Sequence, residues 1–177
     1  AYSPRPQTRA AREPDDVPLL HRWANDPGTR GQTGETRPST LAATAEYYAS
    51  MQQREDRLWT GIIVRETGQL IGETGLLRMF PAWRTTDWSM IIGEPEARGK
   101  GYGAEAARLM LNYAFGHLAF HRVSIGVVGW NSGALRFYER LGFRREGIQR
   151  DGYYYDHQFS DFVMMSLLED EFRARWR

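Results

Sequence analysis

The stretch Arg98-Gly99-Lys100-Gly101-Tyr102-Gly103-Ala104 decides how this chain is read. Immediately upstream, Thr85 to Ile92 alternates with Trp88, Met90 and Ile92 on one side, the pattern of a strand. Gly93-Glu94-Pro95-Glu96-Ala97 follows as a connector. Downstream, Ala106, Leu109, Met110, Tyr113 and Ala114 recur at helical spacing and predict a helix from about Gly103 to Gly116. A strand, a glycine-rich turn and a helix start in that order present free backbone N–H groups at the positive end of a helix dipole, which favours a phosphate or pyrophosphate. Glycine permits close backbone approach and positive φ, and Arg98 and Lys100 add cationic charge.

Three readings of the turn compete. A P-loop requires G-x-x-x-x-G-K-[ST]. The interval from Gly93 to Gly99 is one residue too long, and Gly101 follows Lys100 where Ser or Thr is needed. A dinucleotide fingerprint is nominally met by Gly99, Gly101 and Ala104, but it expects a parallel sheet from the start and an acid at the end of the next strand. That strand ends Val127-Val128-Gly129-Trp130-Asn131, with no acid. The third reading is a Gly-rich surface turn; three glycines alternating with Arg, Lys and Tyr at a helix start favour a binding site over it but by themselves do not exclude it.

Working outward, residues 1–7 read as a loose arm before a first strand. Asp15-Asp16 then open a short amphipathic helix carrying Val17, Leu19, Leu20 and Trp23, which Asn25-Asp26-Pro27-Gly28 end. Thr29 to Pro38, with Arg30, Glu35 and Arg37, reads as the longest loop. Ser39 to about Arg54 predicts a helix with Leu41, Ala45, Tyr48 and Met51 on one face. Leu58–Val64, Leu70–Phe80 and Thr85–Ile92 read as consecutive strands. Val123–Val128 is a β-branched strand, Asn131–Leu141 a helix closed by Gly142, Phe143 to Gly147 the start of a strand, and Tyr153 to Leu168 the completion of the sheet. Hairpins in the middle and a strand–helix–strand crossover later predict one α/β domain over residues 1–177, with a mixed, mainly antiparallel sheet of six to seven strands flanked by helices.

Bulk properties narrow the function. A net charge of +1 gives no general attraction to nucleic acid or an anionic membrane. The absence of cysteine excludes a thiol nucleophile, disulfides and thiolate metal sites, and fits a reducing cytoplasm. No His/Asp/Glu spacing resembles a metal site.

From Asp87 to Phe143 the chain resembles the GNAT superfamily of N-acetyltransferases. Arg98, Gly101 and Gly103 match its Arg/Gln-x-x-Gly-x-Gly/Ala motif, and Asn131, Ala134, Tyr138, Gly142 and Phe143 match N-x-x-A-x-x-x-Y-x-x-x-G-F. Thr8-Arg9-Ala10-Ala11-Arg12 through Trp23 and Leu70-Ile71-Gly72-Glu73 also look like the subgroup that acetylates ribosomal-protein N-termini and polyamines. The resemblance implies that acetyl-CoA is the co-substrate, with no metal. Backbone N–H groups of Arg98, Gly99, Lys100, Gly101, Tyr102, Gly103 and Ala104 would hold its pyrophosphate. Met90, Ile91 and Ile92 would pair with the pantetheine arm and polarise the thioester carbonyl. Asn131 would hydrogen-bond the cofactor, and Tyr138 would protonate the leaving thiolate.

Acetyl transfer needs a neutral amine, an electrophilic thioester and a proton donor. Without cysteine, direct attack in a ternary complex is the simplest scheme. A phenol with pKa of about 10 suits the donor role, whereas an ordinary core aromatic is the other account of Tyr138. Asp87 and Glu73 are candidate bases, Asp87 preferred, although a solvated or ion-paired strand carboxylate explains either equally well. His117 and His121 read as capping or surface residues, Asp151, Asp156 and His157 as a late hairpin bordering the acceptor, and Trp83 and Trp88 as pocket lining or core. A non-catalytic acyl-CoA-binding or sensor domain is the alternative function, which Asn131 together with Tyr138 argues against. The expected acceptor is a small-molecule amine or a protein N-terminus, and the expected assembly a homodimer.

Overall fold

The computed structural model describes residues 6–9, 14–33 and 37–176. Its strands are β1 (Pro6–Arg9), β2 (Leu58–Val64), β3 (Leu70–Phe80), β4 (Thr85–Ile92), β5 (Arg122–Val128), β6 (Arg144–Tyr155) and β7 (Gln158–Leu168). The helices are α1 (Val17–Asn25), α2 (Pro27–Thr33), α3 (Leu41–Gln52), α4 (Tyr102–Asn112), α5 (Ser132–Leu141) and α6 (Glu169–Trp176). Among the described residues the strands form one sheet in the order β1-β2-β3-β4-β5-β7-β6. The β4–β5 pair is parallel and the other pairs are antiparallel. This is the mixed, mainly antiparallel architecture expected from the hairpins and the crossover.

Strand periodicity sends alternate side chains to opposite faces. On one face, Leu76, Trp88, Val123, Ile125, Val163 and Met165 pack with Met110 and Leu111 of α4 and Leu135 and Tyr138 of α5. On the other, Leu70 packs with Leu20 and Trp23 of α1, and Tyr48 of α3 adjoins them. A register shift between Ile62 and Ile63 lets Ile71 join Ile62 beside Ala106 while its neighbour Leu70 faces α1.

The parallel pairing of β4 with β5 covers only Thr85↔Arg122, Thr86↔Val123 and Asp87↔Ser124. Beyond that point β4 stays with β3 as far as Ile92↔Gly72, and β5 stays with β7 as far as Val128↔Phe162. The facing edges of residues 88–92 and 125–128 therefore diverge, and the sheet splits between its fourth and fifth strands.

Several local expectations are corrected. Pro27-Gly28 ends α1 but also begins α2, so Thr29 to Thr33 is helix and not loop. Asp26 is the reason: its Oδ2 accepts from Thr29 N–H at 2.7 Å, with Pro27 at the first helical position, where its missing N–H costs nothing. That hydrogen bond also lowers the Asp26 pKa. Glu35, assigned to the same loop, lies outside the described residues. Strand β1 takes in Pro6 and Gln7, which the sequence reading left in the arm. In α3, Thr44 and Met51 are buried while Leu41 is exposed, and in α4 Ala107 and Leu111 replace Leu109 and Tyr113 on the inner face. The last strands meet at Asp156 and His157, both at positive φ as a two-residue hairpin turn requires, so Tyr153 to Tyr155 belong to β6. Helix α6 was not anticipated because Phe172 is its one buried residue, although Glu169, Asp170 and Glu171 at its start and Arg173 and Arg175 at its end suit the helix dipole.

Helix α1 is seated on the open end of β4. The Trp23 indole lies against Gly93 so closely that a β-carbon there would come within 2.2 Å of the ring. Trp23 Nε1 donates to Glu94 Oε1 at 2.7 Å, and Arg22 pairs with the same carboxylate. Gly93→Ala should therefore force the indole off the strand and destabilise the protein by about 1–3 kcal/mol. Urea denaturation measures this, and an unchanged midpoint would show that the contact is not tight.

Candidate active site

The turn before α4 is shaped by two glycines in the left-handed region, Gly99 at φ 73° and Gly101 at φ 87°. Among the described residues, chain neighbours aside, no atom lies within 4 Å of where a β-carbon would project from either, so they serve backbone conformation and leave space in front of the turn. Gly101 is the N-cap and offers no side chain; the first helical bond from it is Glu105 N–H to Gly101 O at 3.2 Å. The N–H groups of Tyr102, Gly103 and Ala104 precede that bond and have no acceptor within the helix. Arg98 is arranged differently from its neighbours. Its N–H donates to Pro95 O at 3.1 Å, and its Nε donates to Ile92 O at 3.0 Å, so it ties the turn to the end of β4. The anion-binding potential thus lies C-terminal to Arg98, with Lys100 exposed beside it.

This helix start abuts the split in the sheet. A β-carbon at Gly103 would sit 3.4 Å from Met90 Cε, 3.7 Å from Ile92 Cγ1 and 3.7 Å from Phe137 Cζ. The structure thereby brings together the turn, the outer part of β4 and α5. Phe137 carries no signal in the sequence beyond its place beside Tyr138. Asn131 caps α5, its Oδ1 accepting from Ala134 N–H at 3.1 Å, so the carbonyl of its amide is committed to the helix.

Glu73 and Asp87 lie on the face opposite α4 and α5. Glu73 accepts from the Tyr48 hydroxyl of α3 at 3.2 Å. It pairs with Ile91, four residues along β4 from Asp87, which puts the two carboxylates about 13 Å apart along the strand. They do not form a pair. Asp87 stands at the last β4–β5 partnership and forms an ion pair with Arg78. Arg78 sits in the irregular stretch between Leu77 and Phe80 with φ 47°, a strained value for a non-glycine residue, and that bulge turns its side chain onto Asp87. Nothing in the sequence marks Arg78 for this role. His117 stacks on Tyr113 at 5.4 Å, and the backbone of His121 bonds to Arg84 and Glu169. Trp83 is 76% exposed at a hairpin tip, whereas Trp88 is core. Asp151, Asp156 and His157 lie exposed on the β6–β7 hairpin, and Tyr153 and Tyr155 of β6 donate to backbone carbonyls of α2. Among the described residues no group of His, Asp and Glu could hold a metal ion, and no helix is long and apolar enough to cross a membrane.

Tyr138 lies two helical turns after Asn131, packed edge-on to Trp88 at 5.5 Å and against Phe143 at 5.8 Å. Its hydroxyl makes no hydrogen bond among the described residues. Burial raises its pKa to about 12. The group is therefore a proton holder at neutral pH and no base. Against an ordinary thiol pKa of about 8.5, complete proton transfer from such a phenol to a thiolate would be uphill by roughly 5 kcal/mol, so its chemistry suits hydrogen-bond donation rather than full proton transfer. With its folded pKa raised, Tyr138 favours the folded state below pH 10 and withdraws that contribution as pH rises through 12. In a spectrophotometric alkaline titration it should ionise after the exposed tyrosines, and Tyr138→Phe should abolish that late component; a titration curve unchanged by the substitution would contradict the burial argument.

Comparison with known proteins agrees with this geometry. The family model described as Acetyltransferase (GNAT) domain matches residues 9–144. The probable N-acetyltransferase YjcK of Bacillus subtilis is 32% identical over 116 residues, covering 63% of this chain and 64% of that protein, a little under two thirds of its length. The N-acetyltransferase 9-like protein of Caenorhabditis briggsae is 30% identical over 143 residues, covering 75% of this chain and 72% of that one. Among solved structures, spermidine N-acetyltransferase from Vibrio cholerae in complex with CoA and spermine superposes with a TM-score of 0.89 at 22% identity, covering 96% of this chain and 98% of that one. A glycine turn, a split sheet and a tyrosine-bearing helix, joined by a match over most of the sequence, make this chain a member of the GNAT acetyltransferase family.

Proposed function

We propose that this chain is an N-acetyltransferase that moves an acetyl group from acetyl-CoA to a primary amine by direct attack in a ternary complex. The observation that carries the reading is the split between β4 and β5, which has an uncapped helix N-terminus at its open end and Tyr138 beside its vertex. The residues suit the co-substrate: Gly99 and Gly101 leave clear space before the turn, and the outer edge of β4 is unclaimed by β5. Acetyl-CoA supplies an activated thioester. Backbone N–H groups from Gly99 to Ala104 bind its pyrophosphate, while Arg98 sets the turn through its own hydrogen bonds. Met90, Ile91 and Ile92 present backbone groups to the pantetheine arm and to the thioester oxygen. Asn131 orders the start of α5 and keeps its amide nitrogen for the cofactor. Tyr138 donates to the departing sulfur.

The acceptor approaches from the opposite face. Asp87 and Trp88 are consecutive, so their side chains leave β4 on opposite sides. An acyl group held at the vertex therefore has Tyr138 on one side and Asp87 on the other, which favours Asp87 over Glu73 for receiving the amine proton. Glu73, held by Tyr48 further along the face, suits attraction of a cationic acceptor. Two carboxylates on this face support a small cationic amine, the class named for the Vibrio cholerae protein, or a protein N-terminus. Self-association as a homodimer is part of the same proposal. The alternative of a non-catalytic acyl-CoA-binding domain is disfavoured because a bare binding module has no use for Asn131 and Tyr138 together on one helix beside the vertex.

Direct transfer predicts intersecting initial-velocity lines when acetyl-CoA and a polyamine such as spermidine are varied, with free thiol as the readout; parallel lines would point to a covalent enzyme intermediate. Tyr138→Phe should lower kcat about 10²–10³-fold with little change in KM for acetyl-CoA, and unchanged turnover would remove Tyr138 from the mechanism. Gly101→Ala, which strains a positive-φ position, should instead weaken acetyl-CoA binding, and unaltered affinity would move the pyrophosphate site elsewhere.

A further inference from the structure

The mechanism leaves one question open: what holds the Tyr138 ring. Its hydroxyl has no hydrogen-bond partner among the described residues, so its place is set by packing against Trp88, Phe137 and Phe143. Trp88 is the critical wall. It is the first residue of β4 past the last pairing with β5, and its indole stacks on Phe143 at 5.7 Å with an interplanar angle of 23°. A planar ring held only by other rings can slide or turn within its layer. Trp88 is not free to do so, because its Nε1 donates to Thr74 Oγ1 at 2.7 Å.

Thr74 is fully buried on β3. Its hydroxyl donates to Ser89 O at 3.0 Å. A hydroxyl has one proton, so with that proton given to Ser89 the oxygen can only accept from Trp88. The bond directions are thus fixed: indole N–H to hydroxyl, hydroxyl to strand carbonyl. Thr74 also pairs with Met90 across β3 and β4, which anchors this chain of bonds to the strand that borders the split. A buried polar side chain in an otherwise apolar layer costs stability unless satisfied. Here the hydroxyl is satisfied by Ser89 and in turn satisfies the indole N–H, so it both offsets the cost of its own burial and fixes the direction in which the indole lies.

We propose that Thr74 is a positioning residue for the acetyl-transfer step, fixing the Trp88 indole and through it the ring of Tyr138. The proposal rests on the reading of Tyr138 as the proton donor. Thr74 touches neither substrate; its effect on turnover passes through two rings. Its influence falls chiefly on kcat, because the turn from Gly99 to Ala104 is held by the Arg98 bonds to Ile92 and Pro95 and not by the indole.

The test is a double-mutant cycle with acetyl-CoA and spermidine as probes and thermal denaturation run alongside. Thr74→Val should lower kcat about tenfold or more, leave KM for acetyl-CoA within twofold, and leave the protein folded. Thr74→Ser, which keeps the hydroxyl, should restore most of the turnover. In a Tyr138→Phe background, Thr74→Val should cost little further, since its target is already gone. If Thr74→Val fails to fold, Trp88→Phe removes the indole donor from the other side and should give the same kcat loss and the same non-additivity. Normal kcat in Thr74→Val or Trp88→Phe while Tyr138→Phe is slow would overturn the positioning role and leave the acid intact. An undiminished penalty in the Tyr138→Phe background would also overturn it. Unchanged turnover in Tyr138→Phe itself would instead sink the underlying assignment of the acid.

Discussion

Everything proposed for this protein depends on the three-residue length of the β4–β5 pairing. Parallel strands normally continue their ladder while backbone partners last. Here β5 is claimed along its other edge by β7 and β4 by β3, so the two halves of the sheet separate after Asp87 and Ser124. Among the described residues, the outer edge of β4 from Trp88 to Ile92 is thereby left without a strand partner on that side, and Ser89 to Ile92 are partly exposed. It is the edge that the proposed co-substrate would pair with, and the surrounding elements frame it. Helix α4 ends the open side with free N–H groups, α5 covers one face with Tyr138, and α1 and α3 cover the other.

The division of labour across the sheet follows from strand periodicity. Trp88 points into the layer containing Tyr138, and Asp87, one residue earlier, points to the opposite face, where it pairs with Arg78. In the proposed transfer, that one residue step would separate the proton donor to sulfur from the proton acceptor for the amine. The two environments differ accordingly. Tyr138 is enclosed by rings that hold it protonated, and Asp87 is partly exposed beside Arg78.

Much of this architecture was legible in the residues. Alternation in Thr85–Ile92 and Val123–Val128, the glycines at 99, 101 and 103, and the Asn131–Phe143 motif located the strands, the turn and the tyrosine helix, because each has a local physical signature. Helix α2 was missed because Asp26-Pro27 both stops one helix and starts the next, and short-range rules weigh proline first as a terminator. Helix α6 was missed because Phe172 is its one fully buried residue, with Trp176 only partly buried against the core. The inner faces of α3 and α4 were misjudged where Leu41, Leu109 and Tyr113 stay exposed, since apolar character does not oblige burial. The role of Arg98 as a tie to Ile92, and that of Thr74 under Trp88, depend on side-chain hydrogen bonds between elements that no spacing in the sequence encodes.

The central claim is that the split and its turn form one binding surface for acetyl-CoA. Backbone amide NMR with CoA titration tests it most directly. The account predicts that the largest shifts fall on residues 99–104, on residues 88–92 and at the start of α5. Saturating shifts confined to other surfaces, or the same residues responding equally to ATP or NAD, would contradict it.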